Sequence, residues 1–371
     1  MMPSYRSGSR LFLLLLHVLV RQCFSVVGAG AGAAASVATE RMDGFNFLYG
    51  SWGSGDAVPD DAYNSTHAKV ALASMKNQTD NNWIAFSYLW YQKNVDTAGP
   101  IYRRPDTPDN SALSSAIATA HALGLKVMVR PLVNADPKLK DPDGPHTWRG
   151  MIGRNFTASQ WESWFASYQQ MIWGAAELAS QANADSLCVG GELIVASHQE
   201  KHWRSIIKGV RARFNGPIMY AANWGNEDDV QFWDAVDQIG VDAYYPLAKT
   251  KADPTVDQLV ASWEPIKAGL RALSKKVDKP LIFAEVGYCS TAQSNEHPAQ
   301  CGGPLSEKAQ ANLYEALLTS FYAKSESDWF RGIFWWDWST TPTDGGATNG
   351  GFSPNRKLAA EVVRRFYSQR T

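Results

Sequence analysis

Over 371 residues the chain holds only four cysteines, a formal net charge of -1, and one long apolar run, which lies within the first twenty residues. So few cysteines exclude a disulfide-framework fold. Lys and Arg are spread along the sequence and form nothing beyond short pairs, so there is no electrostatic footprint for nucleic acid. Several motifs are missing too: a Gly-x-Ser-x-Gly elbow, a glycine-rich phosphate loop and a redox cysteine pair. His198 and His202 stand four apart, but Glu200 falls two residues after His198 instead of one, which departs from the zinc-protease pattern. Asp136, Asp141 and Asp143 lack the ordered spacing of a calcium loop. Neither a metal nor a cofactor is expected.

What is present is a large apolar complement, 45% hydrophobic and 12% aromatic, enough to bury a sizeable core. Arg6 and Arg10 precede the apolar run 11–20, and a small-residue stretch follows at 29–38, the order of a secretory signal peptide. The run is roughly half the length a membrane-spanning helix needs, so no stable membrane association is expected after cleavage. We therefore read 1–38 as leader and 39–371 as one folded domain, secreted and monomeric. Acceptor sequons begin at Asn64, Asn77 and Asn155. Cys289 and Cys301 flank a polar loop and form the natural disulfide pair in an oxidising compartment, Cys23 belongs to the leader, and Cys188 reads as a small buried hydrophobe.

From residue 40 onward short apolar runs alternate with longer helical patterns, the sequence form of parallel βα units. The runs are 45–49, 83–90, 127–133, 187–193, 218–224, 239–246, 281–286 and 332–338. Helical patterns fall at 111–123, 159–182, 201–213, 256–274, 306–324 and 355–367, with Asp109 and Ser306 placed as N-caps and Gly124 as a closing glycine. The fold class is α/β, a single (β/α)8 TIM barrel. An open doubly wound sheet would need the glycine-rich phosphate turn that is missing.

In such a barrel the active site forms at the C-terminal strand ends, so a polar residue closing an apolar strand is informative. The fourth strand ends in Glu192 and the seventh in Glu285. A carboxylate there must face a polar cavity or lose several kcal/mol to desolvation. Strands four and seven lie across the mouth from each other, which suits two carboxylates flanking a glycosidic bond. Trp52, Trp90, Trp224, Trp335, Trp336 and Trp338 fall at or near strand ends, where indoles can pack on the C–H faces of sugars. Alternation sends Trp335 and Trp336 to opposite faces, so at least one of them is structural.

These two glutamates, a tyrosine near the end of strand six and a tryptophan on strand eight resemble clan A of the glycoside hydrolases. The segments Val-Gly-Gly-Glu-Leu at 189–193, Gly-Val-Asp-Ala-Tyr-Tyr-Pro at 240–246 and Ala-Glu-Val-Gly-Tyr at 284–288 most resemble family 113. The helix-then-strand segment 118–131 fits the same pattern, and the resemblance spans nearly all of 39–371. It implies a retaining endo-β-1,4-mannanase acting on a polysaccharide or oligosaccharide. Glu192 then matches the acid/base, Glu285 the nucleophile, and Tyr245 the tyrosine that hydrogen-bonds the nucleophile. Trp336, Trp224, Trp52 and Trp90 are candidate sugar platforms. Arg130 either lines the cleft or forms a plain salt bridge with a strand neighbour. Many clan A members carry Asn immediately before the acid/base, where this chain has Gly191; Asn223 is a candidate for the missing contact to the sugar 2-hydroxyl. Residue types leave open another β-linked glycan, or a non-catalytic sugar-binding barrel.

Overall fold

A parallel sheet with apolar faces on both sides must be covered outside and plugged inside, and here it does so by closing on itself. The computed structural model describes residues 40–49, 55, 58–139, 148–247 and 253–369. Its eight parallel strands are β1 (Met42–Leu48), β2 (Trp83–Gln92), β3 (Lys126–Ala135), β4 (Ser186–Gly191), β5 (Ile218–Asn223), β6 (Gln238–Asp242), β7 (Leu281–Val286) and β8 (Phe330–Ser339). Each pairs with the next, and β8 pairs back with β1, which excludes the open sheet. The expected leader, along with Trp52, Asp141 and Asp143, lies outside the described residues.

The helices are α1 (Thr66–Thr79), α2 (Asn110–Ala122), α3 (Ala158–Gln181), α4 (Ile194–Ser197), α5 (Glu200–Arg211), α6 (Val256–Val277), α7 (Glu307–Phe321) and α8 (Leu358–Tyr367). Their starts follow from local chemistry. Ser65, Asp109 and Ser306 each accept a backbone N–H of the first turn, while Thr157 with Gln160 and Thr255 with Gln258 form capping boxes. Each such cap contributes about 1 kcal/mol. Gly124 closes α2 with φ +73°. Between β5 and β6 the chain makes only two 3-10 turns, Glu227–Asp229 and Trp233–Ala235, so the regular repeat is shortened there.

Inside the barrel, Met42, Trp83, Ala85, Met128, Cys188, Met219, Ile282, Ala284 and Phe334 form a buried apolar plug toward the N-terminal strand ends. One step further along the same strands the inward residues become Asn46, Ser87, Arg130 and Asp242, all buried. Cys188 is a free buried thiol, as expected, and Cys289 and Cys301 are bridged with Cα atoms 5.3 Å apart.

Candidate active site

Strict alternation cannot bring Glu285 inward, because its neighbour Ala284 already points into the apolar plug. A β-bulge resolves this. Val241 pairs with Phe283 but Asp242 with Glu285, and on the other side Phe283 pairs with Ile333 but Val286 with Trp335, so from Phe283 onward β7 carries one residue more than either neighbour. β4 carries a bulge as well, since Cys188 pairs with Met219 but Gly191 with Ala221. Glu192 follows immediately, with φ +55°. That left-handed conformation costs a non-glycine residue on the order of 1 kcal/mol or more. It is held by Glu192 N–H donating to the Ala221 carbonyl at 3.0 Å and by Ile194 N–H donating to the Glu192 carbonyl at 3.0 Å. Bulges re-aim side chains beside active sites, and both glutamates depend on one.

Arg130 organises the mouth. Its Nη1 donates to Glu285 and to Asn46 Oδ1 (3.2 Å), and its Nη2 donates to Asp242 Oδ1 and Oδ2 at 3.0 and 2.9 Å. The guanidinium is completely buried in the floor of the mouth, and its partners on β1, β6 and β7 lie across the barrel, so it is not a plain salt bridge to a strand neighbour. Asn46 has no spare capacity: its Nδ2 donates to the Ala284 and Phe334 carbonyls, and its Oδ1 also accepts from Ser87 Oγ at 2.7 Å.

The tyrosine beside the nucleophile candidate is Tyr244, which corrects the assignment of Tyr245. Tyr244 Oη donates to Glu285 Oε2 at 2.9 Å, whereas Tyr245 Oη donates to Glu227 Oε1 at 2.7 Å. Burial, with Glu285 and Glu192 adding to it, pushes the Tyr244 phenol well up, so it stays a donor. Asp242 is the inward residue of β6, and alternation carries that direction to Tyr244 and not to Tyr245.

Glu192 has a looser setting. Arg149 Nη1 lies 3.4 Å from its Oε2, and the Trp148 indole N–H donates to it. Burial raises its carboxyl above the ordinary range; Arg149 opposes the rise, and Glu285 adds to it. Burial pushes Asp242 up as well, against the pull of Arg130. The site thus gathers three carboxylates on two guanidiniums, and Glu192 has the longest ion pair of the three. That is the arrangement in which one carboxyl keeps its proton while another stays paired.

The aromatic candidates divide. Trp335 is buried, stacked on Tyr314 at 3.9 Å and donating to Tyr367 Oη at 2.9 Å, which makes it structural; Trp336 is half-buried on the opposite face. Trp338 is also core, packed edge-on to Phe45. Trp90 is corrected. Ser87 on β2 points inward, so Trp90 falls on the outer face, packed against the outer core with the Arg103 guanidinium 5.5 Å from its ring. Trp224 is half-buried and edge-on to Tyr245 at 5.8 Å. Asn223 spends its amide on the Trp224 carbonyl (2.9 Å) and on Asn226, inside its own loop.

Gly191 has a physical reason. A Cβ there would meet Leu132 Cδ2 at 2.9 Å and Arg130 Nη2 at 3.2 Å, so Arg130 and Leu132 occupy the room an Asn would need. Residue types alone did not single out Asp242, Asn46, Tyr244, Trp148 or Arg149. Asp242 and Tyr244 were within reach of the strand-end rule; Trp148 and Arg149 were not, because they lie in a loop. Elsewhere, His202 stacks on Phe165 at 4.5 Å and Asp136 is held by Arg104 at 2.9 Å.

Comparison with known proteins follows the geometry. A GH113 β-1,4-mannanase structure superposes with a TM-score of 0.76 at 26% identity, covering 89% of this chain and 100% of that one. The GH113 β-mannanase AaManA of Alicyclobacillus acidocaldarius, solved with ManMIm, gives 0.74 at 29% identity, covering 89% and 97%. A family 5 mannosidase of Rhizomucor miehei shares the fold at 10% identity and a TM-score of 0.58, covering 89% and 92%. Among proteins with curated descriptions, none matches. The model of Glycoside Hydrolase Family 113 matches residues 51–357, so the chain belongs to that family and is a glycoside hydrolase.

Proposed function

We propose that the chain is a secreted, retaining endo-β-1,4-mannanase acting on mannan or glucomannan, with Glu285 as nucleophile and Glu192 as acid/base. The observation that carries the division of roles is the unequal pairing: Glu285 is held by Arg130 and Tyr244 on both oxygens, while Glu192, half-buried and with only a long contact to Arg149, has its carboxyl raised above the ordinary range by desolvation. Glu285 attacks the anomeric carbon and forms a glycosyl ester. The glycosidic C–O bond breaks as Glu192 gives its proton to the leaving oxygen. Glu192 then takes a proton from water, whose oxygen attacks the anomeric carbon and frees Glu285. Because kcat/KM requires protonated Glu192, it falls as pH rises through the raised value of that carboxyl.

Support for mannan comes from the GH113 mannanases at 26% and 29% identity. Support for secretion comes from the leader pattern and from Asn64, Asn77 and Asn155, all of which are exposed. Azide separates the two carboxylate roles. In Glu285→Ala it attacks a β-linked substrate directly and gives the α-glycosyl azide. In Glu192→Ala, with an aryl glycoside of good leaving ability, the ester still forms and azide opens it to the β-product. The reverse pattern would exchange the roles. A screen on mannan, glucomannan, xylan and cellulose oligosaccharides, with product lengths and anomers followed, tests the substrate, and preference for xylan or cellulose would overturn it.

A further inference from the structure

An exposed indole is costly to leave in water and free to swing, so one held in a single pose calls for a reason. Trp148 is the one exposed aromatic side chain among the described residues, at 42%. Two contacts fix it. Its six-membered ring lies over Gly150, where a Cβ would come within 2.4 Å of ring atoms, and its N–H donates to Glu192. The next residue, Arg149, is buried, with Nε donating to Asn134 Oδ1 at the end of β3 (2.8 Å) and Nη1 facing Glu192. The pair therefore stands on the acid/base side of the mouth, away from the Arg130 and Tyr244 grip on Glu285.

We propose that Trp148 is the platform for the leaving-group sugar and that Arg149 is a positioning residue which aims Glu192 at the glycosidic oxygen between the two sugars. The inference rests on Glu192 being the acid/base. In that role its proton goes to the oxygen shared with the leaving sugar, so the sugar beyond that oxygen lies over the side chain bonded to Glu192. An indole offers a flat apolar face to the ring C–H groups and a polar edge to the carboxylate. A planar guanidinium bonded to β3 gives Glu192 one orientation.

The test compares an oligosaccharide, which has a leaving sugar, with an aryl glycoside of the same glycone, which has none. The β-linked sugar that the screen selects is used, so a wrong substrate assignment leaves the test standing. Trp148→Ala is expected to lower kcat/KM on the oligosaccharide about tenfold more than on the aryl glycoside, the size of effect for losing a well-placed aromatic contact. Trp148→Phe should recover most of the difference, and transfer to added sugar acceptors should fall in parallel. Equal loss on both substrates, or no loss on either, overturns the platform. Arg149→Met removes a charge that pulls the Glu192 carboxyl down, so the basic limb of kcat/KM should move to higher pH, and Arg149→Lys should return it toward the parent. An unmoved limb in a folded Arg149→Met variant overturns the positioning role. A failed azide experiment on Glu192 would instead overturn the reading beneath both.

Discussion

The inner surface of the barrel changes character from its N-terminal end to its mouth. Toward the N-terminal ends it is a plug of Met42, Met128, Met219, Ile282 and Phe334; toward the mouth it is Asn46, Arg130, Asp242 and Glu285. Both layers are buried, and on desolvation alone the upper one should have been apolar as well. Replacing a buried ion cluster with hydrophobes of similar volume is often neutral or stabilising. The difference teaches that the lower layer holds the barrel closed and the upper one accepts a cost in stability to hold charges where a bond is broken.

Four variants can break or sharpen that contrast. Glu285→Ala should lower kcat/KM at least about 1000-fold, roughly 4 kcal/mol of barrier, while the urea midpoint holds or rises; a large loss of stability with modest loss of rate would reverse the division. Replacing Cys289 and Cys301 by Ser opens the staple after β7, whose ends are 12 residues apart. On the loop-entropy model that costs about 3 kcal/mol of stability, measurable by denaturant titration with and without reductant. Met219→Ala in the plug should cost roughly 2 to 3 kcal/mol of stability with little change in kcat/KM of the folded enzyme. A matching fall in rate would mean the plug also positions the mouth. Gly191→Ala presses on Arg130 and Leu132, and should lower kcat/KM about tenfold, about 1.4 kcal/mol; a shifted urea midpoint with an unchanged rate would reduce that contact to packing.

The strands were legible because each is an apolar run of barrel-strand length, and their edges moved by three residues or fewer except at β6, whose apolar run continues past Asp242 into Ala243, Tyr244 and Tyr245. The first helix was not singled out. Its buried face includes Ala68, Ala71, Leu72 and Met75, and alanines give little hydrophobic contrast. Glu192 and Glu285 could be found because a carboxylate ending an apolar strand is rare. The choice of Tyr245 failed because strand six was read without noting that Asp242 sets which face is inward. Trp90 failed in the same way, by one step of alternation. The bulges in β4 and β7 were invisible, since one extra residue in a strand leaves no mark on its composition.

The Arg130 guanidinium is a single rigid plane rooted on β3, and it bonds residues of three other strands: Asn46 on β1, Asp242 on β6 and Glu285 on β7. A plane cannot satisfy one partner and turn away from the others. The aim of the nucleophile is therefore shared around the circumference of the barrel, like a wheel trued by the tension of several spokes. Lengthening either of the other two spokes, even Asn46 with its hydrogen-bonding capacity already spent within the wall, would tilt Glu285 without altering Glu285 itself.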